Sequence, residues 1–178
     1  MISGDRSTAL TALARTGFSR LAEADAGLGE LGQLTGAGRA DAMALAQRVA
    51  DPDRALSALL QIARRDPGAI RSAAADAGTW RALWDIVGAS DGFAEFYLRH
   101  PDEIAHLAGA GLTVPDEHLM RTELLASVGD VEGFAADATD AAWVALRVRY
   151  RRLLARIAAY DLGQDDSAAA IDVVSASL

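Results

Sequence analysis

Cysteine and lysine are both missing from this 178-residue chain. Without cysteine there can be neither a disulfide framework nor a thiolate metal site. Without lysine, all 17 positions counted as Lys or Arg are arginine, in a chain that also holds 16 glycines and much alanine. That combination reads as the codon bias of a GC-rich genome, so arginine clusters are discounted as signals. No apolar run approaches the roughly 20 residues that a membrane-spanning helix needs. The N-terminal stretch, residues 1–17, carries Asp5 early and lacks a long apolar core, which makes a poor signal peptide. The expectation is a soluble, cytoplasmic protein.

What is present has a globular balance: 51% of residues are apolar and 24% charged. The length suits a single domain with a substantial core. A formal net charge of −8 argues against a general nucleic-acid binder, which needs a clustered positive field to neutralise phosphates.

The apolar pattern is helical nearly throughout. Trp80, Leu83, Trp84 and Val87 recur at i, i+3, i+4 and i+7, as do Leu56, Leu59, Leu60 and Ala63. Asp51-Pro52 and Asp66-Pro67 each set a capping carboxylate before a proline at the first helical position. His100-Pro101 and Val114-Pro115 also read as helix starts, and Gly78, Gly88, Gly109, Gly129 and Gly163 as stops. No convincing strand alternation is found, and the final "IDVVSASL" could be helix or strand. These signals predict an all-α fold: a compact bundle of seven to nine short helices, then one long amphipathic helix from about Thr139 to Leu162. The prolines keep no steady period, which argues against a repeat array.

Several stretches invite chemistry, and each has a plainer reading. "GLGELG", Gly27 to Gly32, matches the dinucleotide pattern G-x-G-x-x-G, but that pattern works only between a strand and a helix. Here helix-forming residues precede it, so a glycine-rich break between helices is expected. Glu103 and His106 have the E-x-x-H spacing of a carboxylate-bridged metal site, yet such sites need a second copy, and none occurs. Asp51 with Asp53, and Asp165 with Asp166, are the close aspartate pairs that could hold Mg²⁺; caps and solvated turns explain them better. Trp80, Trp84, Phe93, Phe96 and Tyr97 could line a pocket, but at helical spacing they read as core. No catalytic constellation is complete, and no catalytic, cofactor-binding or metal-ligating residue is assigned.

"LRVRYRRLLARIAAYDL", Leu146 to Leu162, concentrates arginine in an acidic chain. On a wheel at 100° per residue, Leu153, Leu146, Ile157, Tyr150, Trp143, Leu154 and Ala158 fall within one arc of about 140°. Arg149, Arg152 and Arg156 lie opposite, with Arg147 and Arg151 flanking the stripe. The expectation is one core-facing stripe with arginines in solvent; nucleic-acid or membrane-surface contact is the weaker reading.

The order of segments resembles a known family. "DPDRALSALLQIARRDPGAI", "WRALWDIVGASDGFAEFYLRHPDEIAHL" and "LRVRYRRLLARIAAYDL" are similar, in that order, to the N-terminal region of the glutamine synthetase adenylyltransferase/adenylyl-removing enzymes of actinobacterial type. The middle block, Gly88 to Pro101, carries most of the likeness, and Leu13 to Phe18 resembles the family's start. The resemblance implies a large enzyme with two nucleotidyltransferase-like halves. One removes AMP from a tyrosine of glutamine synthetase by phosphorolysis, the other attaches AMP from ATP, both with Mg²⁺. It implies as partners glutamine synthetase, the transferase domains and a nitrogen-signalling regulatory protein. The family's metal-binding motif, like G-G-x-E-L-N-x-x-S-D-x-D, occurs nowhere in these residues. By the resemblance, the chain is one helical domain, residues 1–178, from the adenylyl-removing half, with the transferase boundary beyond 178 and no activity alone. The competing expectation is a stand-alone helical interaction module.

Overall fold

The computed structural model describes residues 3–111, 113–164, 171 and 173–175. The fold is all-α apart from one short hairpin, and the chain divides into two compact units, Met1–Ala108 and Gly109–Leu178.

The first unit holds α1 (Ser3–Thr16), α2 (Leu21–Thr35), α3 (Arg39–Ala46), α4 (Pro52–Arg65), α5 (Pro67–Ala75), α6 (Ala77–Ala89), α7 (Asp91–Arg99) and a 3-10 helix, Pro101–Leu107. Its centre is α4, which packs against α2, α5, α6 and α7. The stripe read from the sequence supplies the reason: Leu56, Leu59 and Ala63 are buried on it, Leu60 is half-buried at its edge, and Ile62 is buried beside it. Facing them are Leu28 and Leu31 of α2, Ile70 of α5, and Leu83, Trp84 and Ile86 of α6. Each such large side chain contributes about 1.5–3 kcal/mol on leaving water.

Single residues separate successive helices from α4 to the 3-10 helix, because one side chain can close one helix and open the next. Asp51 accepts from the Arg54 amide to start α4. Asp66 ends α4 and accepts from the Gly68 and Ala69 amides to start α5. Asp76 does the same between α5 and α6, accepting from the Thr79 amide and hydroxyl. Those two hydrogen bonds hold the Asp76 carboxyl below the usual range.

Three glycine stops expected from the sequence are not stops in the sense intended. Gly78 and Gly88 lie inside α6, and Gly163 is the last residue of α9 (Asp140–Gly163) without a left-handed backbone. Gly88 is instead a contact point: a Cβ there would sit 2.9 Å from Cβ of Val49 and 3.3 Å from Cβ of Ala55. Gly109 and Gly129 do take positive φ, at 72° and 68°. His100-Pro101 opens the 3-10 helix, whereas Pro115 stands just before an α-helix whose cap is Asp116.

The second unit holds α8 (Glu117–Ala126), the hairpin strands β1 (Asp130–Val131) and β2 (Phe134–Ala135), and α9. Asp130 pairs with Ala135 and Val131 with Phe134. Glu132 and Gly133 both have positive φ, 52° and 82°, the geometry of a tight two-residue hairpin turn. Strands of two residues are too short to show alternation, which is why the sequence reading missed them. Arg121 of α8 donates to the Gly133 carbonyl at 3.0 Å and ties the turn to that helix. Thr139 caps α9 by accepting from the Ala142 amide. In the terminal stretch of undecided state, residues 171 and 173–175 are helical.

Candidate functional site

The arginine-rich stretch forms one continuous helix within α9, as expected, but its rotation differs from the wheel. Leu153 and Ile157 are buried as the spacing requires. Trp143 and Tyr150, assigned to the buried arc, are each 51% exposed. Arg149, Arg152 and Arg156, assigned to solvent, are half-buried. On that edge, Glu123 of α8 accepts from Nη1 of Arg149 at 3.4 Å. From Leu153 to Ala159 every second residue (Leu153, Ala155, Ile157, Ala159) is buried. Alternate residues point to opposite sides of a helix, so this stretch is covered on opposite sides, while Asp161 and Leu162 beyond it are exposed. The first half is covered on one side only. Trp143, Val144, Arg147, Tyr150 and Arg151 lie exposed on the other, within an arc of about 120°. Arg147 and Arg151 have no ion pair among the described residues.

The remaining motifs separate on inspection. "GLGELG" is neither a phosphate loop nor a break between helices: it lies wholly inside α2. Gly27 is buried there, and a Cβ on it would stand 3.1 Å from Leu60 and 3.2 Å from Leu56 of α4. The glycine therefore lets two helices approach closely. Glu103 is buried and His106 exposed on the 3-10 helix. Asp51 is a cap, but Asp53 is more than a solvated turn. Its carboxylate accepts from the Ser19 amide at 2.8 Å and the Ser19 hydroxyl at 2.5 Å. Burial alone would raise the Asp53 carboxyl; the Ser19 and Arg20 hydrogen bonds and the Arg20 charge outweigh it and hold it below the usual range. Asp165 and Asp166 lie outside the described residues. Trp80, Trp84, Phe96 and Tyr97 are buried core, with the two tryptophans edge-to-face at 6.0 Å, while Phe93 is half-buried. Among the described residues, no group of three or more His, Asp or Glu is placed to hold a metal ion.

Among the hollows that the described residues of the first unit form are two beside α4 and α5. One, of about 310 Å³, lies along α4 and α7 and is lined by Arg20, Arg54, Gln61, Asp91 and Glu95. Its charges are already engaged: Arg54 meets Asp91 at 3.1 Å and Arg20 meets Glu23 at 3.2 Å. The other, of about 440 Å³, is bordered by Asp66, Asp76, Thr79, Asp102 and Ile104. Asp66 and Asp76 are committed there to helix caps. Neither hollow gathers a nucleophile beside a base.

The sequence reading passed over one titratable group. Asp85 of α6 is 6% exposed, with Arg81 one turn earlier at 3.7 Å. Burial raises its carboxyl above the ordinary value, and the charges of Arg81 and Arg48 offset only part of that. The i, i+4 spacing of Arg81 and Asp85 was the available signal, hidden between Trp84 and Ile86.

No family model and no solved structure matches the chain. Among curated proteins, it is 45% identical over 172 residues to the bifunctional glutamine synthetase adenylyltransferase/adenylyl-removing enzyme of Leifsonia xyli subsp. xyli (strain CTCB07). The match takes in 95% of this chain and 17% of that relative's length. The resemblance read from the residues therefore holds: along nearly all its length, the chain is similar to a limited stretch of that actinobacterial enzyme.

Proposed function

We propose that this chain is the N-terminal helical portion of an enzyme that adenylylates and deadenylylates glutamine synthetase, and that it has no catalytic activity alone. The observation carrying this reading is 45% identity sustained over 95% of the chain. The alternating-aspartate motif that the family resemblance calls for is absent from the sequence, which supports the silence. The chain's role is then structural and substrate-holding, in the cytoplasm, as one helical region leading to the first transferase domain. Mg²⁺, ATP and phosphate act elsewhere in the longer protein, and a nitrogen-signalling protein is a further partner of the whole.

The test is to mix the chain with adenylylated glutamine synthetase, phosphate and Mg²⁺. Phosphorolysis would free the tyrosine hydroxyl and pass AMP to phosphate as ADP. The expected result is no ADP above background, and ADP release would overturn the proposal. A second reading, a stand-alone interaction module, draws on the exposed aromatic and arginine face of α9. The genomic frame beyond Leu178 separates the two. A continuing frame encoding the aspartate motif supports the enzyme portion; a stop followed by an unrelated gene supports the module.

A further inference from the structure

Trp80, Trp84, Phe96 and Tyr97 of the first unit are at most 7% exposed, whereas Trp143 and Tyr150 of α9 are each 51% exposed. Beside these two lie Val144, 54% exposed, and the exposed Arg147 and Arg151. Trp, Tyr and Arg are the residue types that dominate the centres of protein interfaces, since each offers a large, stiff contact area with a polar handle. Arg147 and Arg151 stand one helical turn apart on the same face. They have no carboxylate partner among the described residues, in a chain whose net charge is −8.

We infer that the Trp143–Arg151 face of α9 is a docking surface for a protein surface that presents carboxylates around an apolar patch. Resting on the proposed function, we place that partner surface in the part of the longer enzyme outside the segment matched by this chain. Charge complementarity selects the occupant. A symmetric pairing of two copies through this face would set one exposed carboxylate, Asp140, against two arginines and leave positive charge uncompensated. Phosphate backbones would need a wider positive field than two arginines supply. A membrane surface would meet repulsion from the chain's overall negative charge.

The experiment takes the Leifsonia xyli enzyme lacking its matched segment and measures its binding of the intact chain by calorimetry. The comparison set is the R147E/R151E, W143A/Y150A and R65E variants, each checked for unchanged helix content. The expected result is binding that falls about tenfold or more in either α9 variant, weakens with salt, and is unchanged in R65E. Binding by the wild type that survives both α9 variants would overturn this surface while leaving the proposed function standing. Equal weakening by R65E would reduce the effect to net charge and also overturn it. No binding by the wild type would overturn this surface, while AMP removal by the full-length enzyme carrying this chain in exchange tests the proposed function separately. Retention on DNA, or on vesicles of anionic lipid, that is lost in R147E/R151E would assign the face to another class of partner.

Discussion

Replacing Gly29 with alanine and Gly27 with leucine tests the assignment of "GLGELG" to a helix more sharply than any ligand assay. Both glycines lie in α2, two residues apart, but their surroundings differ. A Cβ on Gly29 meets nothing within 4 Å, and neither residue has a positive φ. Alanine there should stabilise the helix by about 0.5–1 kcal/mol, because glycine loses more backbone entropy on folding. In a domain of this size, that corresponds to about 1–3 °C in melting temperature. At Gly27, the first added carbon already lies 3.1 Å from Leu60 and 3.2 Å from Leu56. The rest of a leucine side chain would have to displace those residues from the α2–α4 contact, at a cost of about 1–3 kcal/mol. Urea unfolding followed by circular dichroism reads both variants. If Gly29→Ala destabilised the protein by more than about 1 kcal/mol, Gly29 would need a conformation or close approach that a straight helix does not require. The packing account of this motif would then fail.

Further perturbations probe the two carboxylates and α9. Asp53→Ala should cost about 1–2 kcal/mol through loss of its Ser19 bonds, as read by urea unfolding. Its folded pKa is depressed, so its contribution is full above the unfolded value of about 3.9 and is lost as pH falls through the lower folded value. Asp85 has the opposite sign. Its raised folded pKa makes stability fall as pH climbs from about 4 through that value, and Asp85→Asn should flatten this part of the melting curve against pH. Leu153→Asp should cost upwards of about 3 kcal/mol by burying an unpaired carboxylate at a site 3% exposed. Trp143→Ala should change stability by less than about 1 kcal/mol, since that side chain is half in solvent; a larger loss in thermal melts would place it in the core after all.

The elements with one apolar face were legible in the sequence. On α4, the stripe of Leu56, Leu59 and Ala63 and the Asp51-Pro52 start state the buried face and the first turn outright. The capping carboxylates act locally, through amides three residues away, so short-range pattern suffices for them. The rotation of α9 did not follow, because a wheel assigns one buried side to the whole helix. Here the first half is covered on one side, and the stretch from Leu153 to Ala159 on opposite sides. Tyrosine and tryptophan weigh as apolar on such a wheel, although both serve equally well at exposed contacts. The Arg149–Glu123 pair and the Asp53–Ser19 anchor span 26 and 34 residues, and no local pattern signals either. Gly27 was misread for a related reason: glycine marks a turn or a close approach with the same letter. The candidate chemistry was legible chiefly as incompleteness, each motif lacking the strand, second copy or partner carboxylate that its chemistry requires.

The most direct test of the proposed function is an exchange in the Leifsonia xyli enzyme, with this chain substituted for the segment it matches. Purified glutamine synthetase then reports both directions, AMP attachment from ATP and AMP removal by phosphate. The account predicts that deleting the segment abolishes AMP removal and that the exchange restores it. A soluble, folded exchange protein that attaches AMP but cannot remove it would contradict the placement of this chain in the adenylyl-removing half.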